Sequence, residues 1–412
     1  MRKISIILLT LLLSLSVRTY AVDIDVRASA RVGAIMPDGK VFKSAGQAKD
    51  GWTGPVYGGE IALAFRPEWR SLEEWNGAAV GVALDYWYLD SKRLGHAIAP
   101  YVFWEIPFLR RPHFVMGVRA AIGAAFLTET YRTTVPEGHL FLDVANANQS
   151  IGSVFNFYFP ETFFMEFPLR RGWSITTGLG WYHMSNGSIR QPNSGYNIFG
   201  AEVGARYTPP TEYAHIVRPN SGLRYGREKR WELEAAVTAG ARQVYYGDNQ
   251  TFVCGEAQVA AYWRAHNIFR LGGGVDAFYD GSYVQRETRF QKTDLKKAAA
   301  NGSDCWRLGV SLQPEFVIGH FTAGFHVGFY VLDPVKNLEP YKDVSSKPQR
   351  LNRGIFYSYD IVNAGSAGYA DGWLYTQIVL RYHLPYHLMV QAAMKAHITK
   401  VEFVSLGLGV WL

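Results

Sequence analysis

The sequence predicts an all-β protein, a transmembrane antiparallel β-barrel of the outer membrane, and three observations carry that reading. The chain opens with an export signal. It then alternates apolar and polar residues over segments of ~11 to 14 residues, longer than the ~5 to 6 of ordinary soluble strands. Its connections alternate between short turns and long polar loops, as at the periplasmic and extracellular ends of a barrel.

The export signal comes first. Arg2 and Lys3 precede a short, mostly apolar run from Ile4 to Leu15, and Thr19-Tyr20-Ala21 places small residues at an expected cleavage point after Ala21. The run is too short to cross a membrane as a helix. No Cys follows it to carry a lipid anchor. Composition agrees with a barrel. Charged residues make up 19% of the chain, below the roughly one quarter of soluble proteins, whereas 15% are aromatic. The formal charge of +7 includes Arg2, Lys3 and Arg18, which leave with the signal. The mature chain has no Lys/Arg stripe, which excludes a nucleic-acid partner. Spacings for zinc, for a phosphate loop or for a dinucleotide are absent, so neither a metal nor a cofactor is expected.

Strand parity then builds the wall. In a barrel, side chains point alternately to lipid and lumen. Between Asp23 and Ala34, Asp23, Asp25, Arg27, Ser29 and Arg31 interleave with Ile24, Val26, Ala28, Ala30, Val32 and Ala34. Tyr57, Ile61, Leu63 and Phe65 oppose Gly58, Glu60 and Arg66. Val82, Leu84, Tyr86 and Tyr88 oppose Gly81, Asp85 and Trp87, and Met116, Val118, Ile122 and Phe126 oppose Gly117, Arg119 and Gly123. Short connections lie near Pro67 to Asn76, Arg110 to Pro112 and Arg170 to Gly172; long ones run from Pro37 to Gly54, Thr128 to Ser150 and Asn186 to Gly195. About eight strands fit before Tyr207.

Prolines and charges interrupt the pattern between Thr208 and Arg230, and about eight more strands follow from Trp231 to Leu412. The halves share words in the same order. Gly59-Glu60 recurs as Gly255-Glu256, Asp85 before Tyr88 as Asp276 before Tyr279, Pro100 as Pro314, and His113-Phe114 with Gly117 as His320-Phe321 with Gly324. We read an internal duplication. The expected layout is a signal peptide at 1–21, a first barrel at 22–208, a linker at 209–230 and a second, degenerate barrel at 231–412. The linker is far longer than a periplasmic turn, which favours two tandem barrels; one barrel of about sixteen strands is the alternative.

Chemistry concentrates on the seventh strand. One face reads Trp173, Ile175, Thr177, Leu179, Trp181, His183, Ser185. The apolar members must meet lipid, so His183 and Ser185 share that face at the loop end, where polar groups are costly unless used. Two positions on one strand face are roughly 7 Å apart, which lets an imidazole take a proton from a hydroxyl. On the next strand Asn197 has the matching parity and can hold the ring N–H through its side-chain oxygen. Asn186 can offer an N–H to a developing oxyanion.

The segment Trp181-Tyr182-His183-Met184-Ser185-Asn186-Gly187, with Pro192-Asn193-Ser194-Gly195, resembles the lipid A 3-O-deacylase (PagL) family. The resemblance covers roughly Val22 to Thr208. It implies an eight-stranded outer-membrane barrel that hydrolyses the ester-linked 3-hydroxyacyl chain of lipid A, with a lipid-facing Ser-His-Glu triad. On that likeness His183 is the base, Ser185 the nucleophile and Asn186 the oxyanion contributor, and lipid A or lipopolysaccharide is the partner. The sequence departs at the third member, where Asn197 stands in place of Glu.

The second half carries an echo in His397-Ile398-Thr399 and Glu402. Strict alternation puts His397 and Thr399 in the lumen and Glu402 on the lipid side, which is no working site. Cys254 and Cys305 fall on lumen parity two strands apart, an ideal ~9.6 Å, too far for a disulfide unless the rim bends. The leading function is a serine esterase acting on lipid A. A non-catalytic barrel, structural or a small-solute pore, and an acyltransferase at the same surface are the alternatives.

Overall fold

A computed structural model describes residues 23–36, 55–66, 72, 74–89, 94–136, 148, 150–209, 230–243, 251–283, 305–334, 374–397 and 400–412. The expected signal peptide, most of the expected linker and Thr399 lie outside the described residues. The first set of strands is β1 (Asp23–Ile35), β2 (Val56–Arg66), β3 (Ala79–Tyr88), β4 (His96–Arg111), β5 (Phe114–Leu127), β6 (Phe155–Pro168), β7 (Trp173–Ser185) and β8 (Tyr196–Tyr207). The second is β9 (Arg230–Arg242), β10 (Phe252–His266), β11 (Phe269–Asp280), β12 (Trp306–Ile318), β13 (Phe321–Leu332), β14 (Leu374–His383), β15 (Leu388–His397) and β16 (Lys400–Trp411).

Each strand pairs antiparallel with its sequence neighbours. β8 returns to β1 and β16 returns to β9, which closes two separate eight-stranded barrels. This overturns the single sixteen-stranded alternative. Closure within each half leaves no unpaired edge, the condition for crossing a bilayer with strands.

The alternation is used as expected. Ile61, Leu179 and Val203 point outward at 65%, 63% and 57% exposure, and Leu408 on β16 reaches 70%. A soluble protein does not leave such a belt in water, whereas a membrane barrel buries it in lipid. Aromatic pairs stand at its margins, Trp173 with Tyr207 at 5.0 Å and Tyr279 with Trp306 at 5.2 Å.

Inward residues fill both lumens. In the first barrel Arg27 reaches Glu60 and Glu105, each at 2.7 Å, and Arg31 reaches Asp85, Glu60 and Glu202. Arg206 meets Glu105 and Glu166, both at 2.5 Å. In the second barrel Arg270 and Arg381 converge on Glu315, and Lys395 pairs Glu402. Eight strands enclose a space that side chains can fill. These are packed cores, not channels.

The two halves repeat one lumen contact: Tyr158 of β6 donates to Asp85 of β3 at 2.5 Å, and Tyr375 of β14 donates to Asp276 of β11 at 2.5 Å. The other shared words are not all equivalent in register. Glu60 faces Asp85 across β2–β3, but Gln258, not Glu256, faces Asp276. Pro100 pairs Leu84 beside Asp85, whereas Pro314 pairs Leu271, five residues from Asp276.

The barrels touch at two levels. At the short-turn end the Trp75 indole N–H donates to the Val317 carbonyl at 3.0 Å, and Trp104 stacks on Phe321 with ring centres 5.0 Å apart. At the long-loop end the Ser188 hydroxyl donates to the Val401 carbonyl at 2.7 Å, and Gln243 N–H donates to the Ser188 carbonyl at 2.8 Å. Between these levels lies a cavity.

Candidate active site

The site is built on the outer ends of β7 and β8. Their register pairs His183 directly with Asn197. His183 and Ser185 lie two apart on one strand, so all three side chains share one face. His183 Nδ1 lies 2.8 Å from Asn197 Oδ1, and Nε2 lies 2.8 Å from Ser185 Oγ. An amide oxygen only accepts, so the proton on His183 sits at Nδ1 and the Nε2 lone pair faces the hydroxyl. Trp181 stacks on the imidazole at 5.3 Å and 24°, and Phe159 flanks it at 6.1 Å. These rings restrict the rotation of the imidazole.

The loop between β7 and β8 completes the site. The Asn186 N–H donates to Asn193 Oδ1 at 2.8 Å, and Arg190 N–H donates to Asn186 Oδ1 at 3.2 Å. Asn186 is 2% exposed, and its Nδ2 is buried with no hydrogen-bond partner. A buried donor without an acceptor is costly unless another group supplies one, and this N–H is available to donate to such a partner oxygen. The sequence leaves open whether the backbone or the side chain of Asn186 would serve. Here the backbone N–H is taken by Asn193 and the side-chain Nδ2 is not taken.

Gly195 brings the loop back. Its φ is +73°, and a Cβ there would lie 2.7 Å from the Met184 carbonyl and 3.2 Å from Ser185 Cβ. Only glycine passes this close with that backbone. Ser185 is consequently 2% exposed. Alternation alone puts it in open contact with lipid; instead it points out of the wall but lies beneath its own loop. His183 and Asn197 are half-buried and line the cavity between the barrels, whose volume is about 800 Å³.

One cavity residue escapes the sequence reasoning. Glu161 on β6 lines the same cavity and accepts from the Ala121 N–H at 3.3 Å. It faces outward between Phe159 and Phe163. A carboxylate on the lipid parity of an aromatic strand is the signal that marks it.

The echo in the second barrel is differently arranged. A register shift between Lys395 and Ala396 turns Glu402 inward, against the expected lipid side, and its Oε1 comes within 3.3 Å of His397 Nε2. An extra residue at a bulge reverses parity beyond it. Cys254 and Cys305 are both buried and both free thiols, so no bridge joins them. Among the described residues no group of three or more His, Cys, Asp or Glu is arranged to hold a metal ion.

Two family profiles match the chain. One, described as lipid A 3-O-deacylase (PagL), matches residues 57–206, and the other, described as acyloxyacyl hydrolase, C-terminal domain, matches residues 231–361. Among solved structures, the outer membrane enzyme PagL is similar at 20% identity and a TM-score of 0.28, over 45% of this chain and 99% of that one. Mutants of the Rh. blastica porin are similar at 8% identity and a TM-score of 0.17, over 95% of this chain and 100% of theirs. No curated protein matches the sequence. With both profiles together spanning more than half of its length, the chain belongs to the lipid A 3-O-deacylase (PagL) family.

Proposed function

We infer that this protein is an outer-membrane serine esterase that removes an ester-linked 3-hydroxyacyl chain from lipid A. The observation that carries the reading is the hydrogen-bonded row Asn197–His183–Ser185, with 2.8 Å at each step. Ser185 Oγ attacks the acyl carbonyl while His183 Nε2 takes its proton. The tetrahedral oxyanion draws on the free N–H of Asn186 Nδ2. On collapse the carbon–oxygen bond to the sugar breaks, and His183 returns the proton to that leaving oxygen. Water then attacks the acyl-enzyme by the same exchange and releases the fatty acid. Asn197 Oδ1 holds the Nδ1–H tautomer throughout, with less stabilisation of imidazolium than a carboxylate offers. No metal or cofactor enters these steps.

A non-catalytic barrel is the second reading, and the amide at Asn197 is the feature that favours it. Its pore form has little support, because charged and aromatic side chains fill both lumens. An acyltransferase would use the same row with another acceptor. Purified protein in lipid A vesicles, followed by mass spectrometry of the lipid and of released acids, separates these readings. Free 3-hydroxy fatty acid supports the esterase. Acyl transfer to a second lipid points to the transferase, and unchanged lipid A points to the inactive barrel.

A further inference from the structure

The cavity beside His183 has one wall from each barrel. β5, β6 and β7 supply Ile122, Phe159 and Trp181, while β13, β14 and β15 supply Phe325, Ile378 and Met394. Its polar residues are not spread evenly. His183, Ser194, Asn197 and Thr376 gather at the outer end, and Glu161 is the one carboxylate in the wall among the described residues. The inner end is aromatic, with Trp75, Phe316 and Phe321, and the Trp75–Val317 hydrogen bond closes it. The outer end is bounded by the β7–β8 loop, which sits on the second barrel. There Gly187, at φ +63°, approaches so closely that a Cβ would come 2.3 Å from Val404 Cγ2.

Length and volume narrow the occupant. Phe321 starts β13, and Thr376 pairs Val327, six residues further out. At the ~3.4 Å rise of a strand this is about 20 Å. One leaflet of a ~30 Å hydrocarbon core is about 15 Å deep, so the cavity accepts an extended lipid chain entering from the outer side. The volume of about 800 Å³ is in the range of sites that bury a whole small molecule. A polar outer end above an apolar shaft matches a lipid ester above its hydrocarbon tail.

We propose that the space between the barrels is the acyl-chain site, with the second barrel supplying half of it, so that the chain to be cleaved is held between two barrels rather than on one barrel's open surface. This rests on the esterase reading for the identity of the chain, an ester-linked chain of lipid A. His183 and Asn197 line the cleft itself, and Ser185 Oγ lies 2.8 Å from His183 Nε2, so the cleft leads to the hydrogen-bonded row.

The test uses the full chain in vesicles. Ala323 and Met394 line the second barrel's wall, away from the hydrogen-bonded row. Ala323→Trp and, separately, Met394→Trp should lower release of the long chain from lipid A by about tenfold or more. Hydrolysis of p-nitrophenyl butyrate, too short to need the shaft, should change less than twofold. Heat-modifiable gel migration checks that each variant folds. A second readout needs no turnover. In Ser185→Ala, a lipid A analogue whose ester-linked chain ends in a diazirine should label peptides from β13 and β15, and Ala323→Trp should remove that labelling. Long-chain release at the wild-type rate from both tryptophan variants, or labelling spread evenly around both outer belts, would overturn the proposal. Labelling confined to the cleft in a wild-type protein inert toward both esters would instead sink the esterase reading and leave the chain site standing.

Discussion

Each barrel carries a histidine near the outer end of its seventh strand, and the two have opposite surroundings. His183 on β7 faces out of the wall, bonded to Asn197 and Ser185. His397 on β15 faces inward at 0% exposure, with Nδ1 2.9 Å from the Leu374 carbonyl and Nε2 3.3 Å from Glu402. A one-residue difference in parity divides them, since successive side chains on a strand take opposite faces. The connections differ as well. Ten residues join β7 to β8, enough to fold back over Ser185 and supply Asn186, whereas two join β15 to β16. The hydrogen-bonded row of the first barrel combines an outward parity with a loop long enough to cover it. A histidine with neither becomes part of the lumen.

The largest effect expected from breaking this contrast lies at Ser185. Ser185→Ala should lower acyl release by about a thousandfold or more with barrel folding intact. His183→Ala should match it, and the double variant should be no worse than either, because the two act as one unit. Mass spectrometry of lipid A over time measures all three. Equal losses that summed in the double variant would mean two independent roles.

Next in size is Asn197. Asn197→Leu removes the acceptor at His183 Nδ1 and should cost about a hundredfold in kcat with little change in KM. Asn197→Glu should keep or raise kcat by better stabilising the imidazolium. A glutamate variant as poor as the leucine one would show that Asn197 does not orient the ring.

The second barrel should answer in stability instead. Glu402→Ala removes the buried carboxylate that Lys395 and Arg307 share and should destabilise the protein by about 3 kcal/mol, read from urea unfolding in micelles. Turnover per folded molecule should stay within about twofold of wild type. The smallest effect belongs to Thr399→Ala, expected to leave release rates unchanged within error. A large drop there would return catalytic weight to the second barrel.

Much of this contrast is legible in the amino-acid sequence. Outward and inward sets such as Ile24/Asp25 and Leu84/Asp85 are readable because alternation is local and each barrel wall has only two sides. The row Asn197–His183–Ser185 is readable for the same reason, since a hairpin's parity and its end suffice to bring three side chains together. Glu402 defeats the alternation because a bulge between Lys395 and Ala396 leaves no mark in a count of residues. The burial of Ser185 is out of reach too. It depends on how Gly195 turns the loop back.

The strands, their two faces and the outward seam of His183, Ser185 and Asn197 are written in the order of residues, because they follow from the two-residue period of an extended backbone. Separate closure of the halves is set by the folded chain, since it depends on which distant strand accepts the free edges of β1 and β9. The same holds for the opening of the seam on a cleft between barrels. That cleft exists because Trp75 meets Val317 at one level and Ser188 meets Val401 at the other, contacts between residues more than two hundred positions apart that no local pattern encodes.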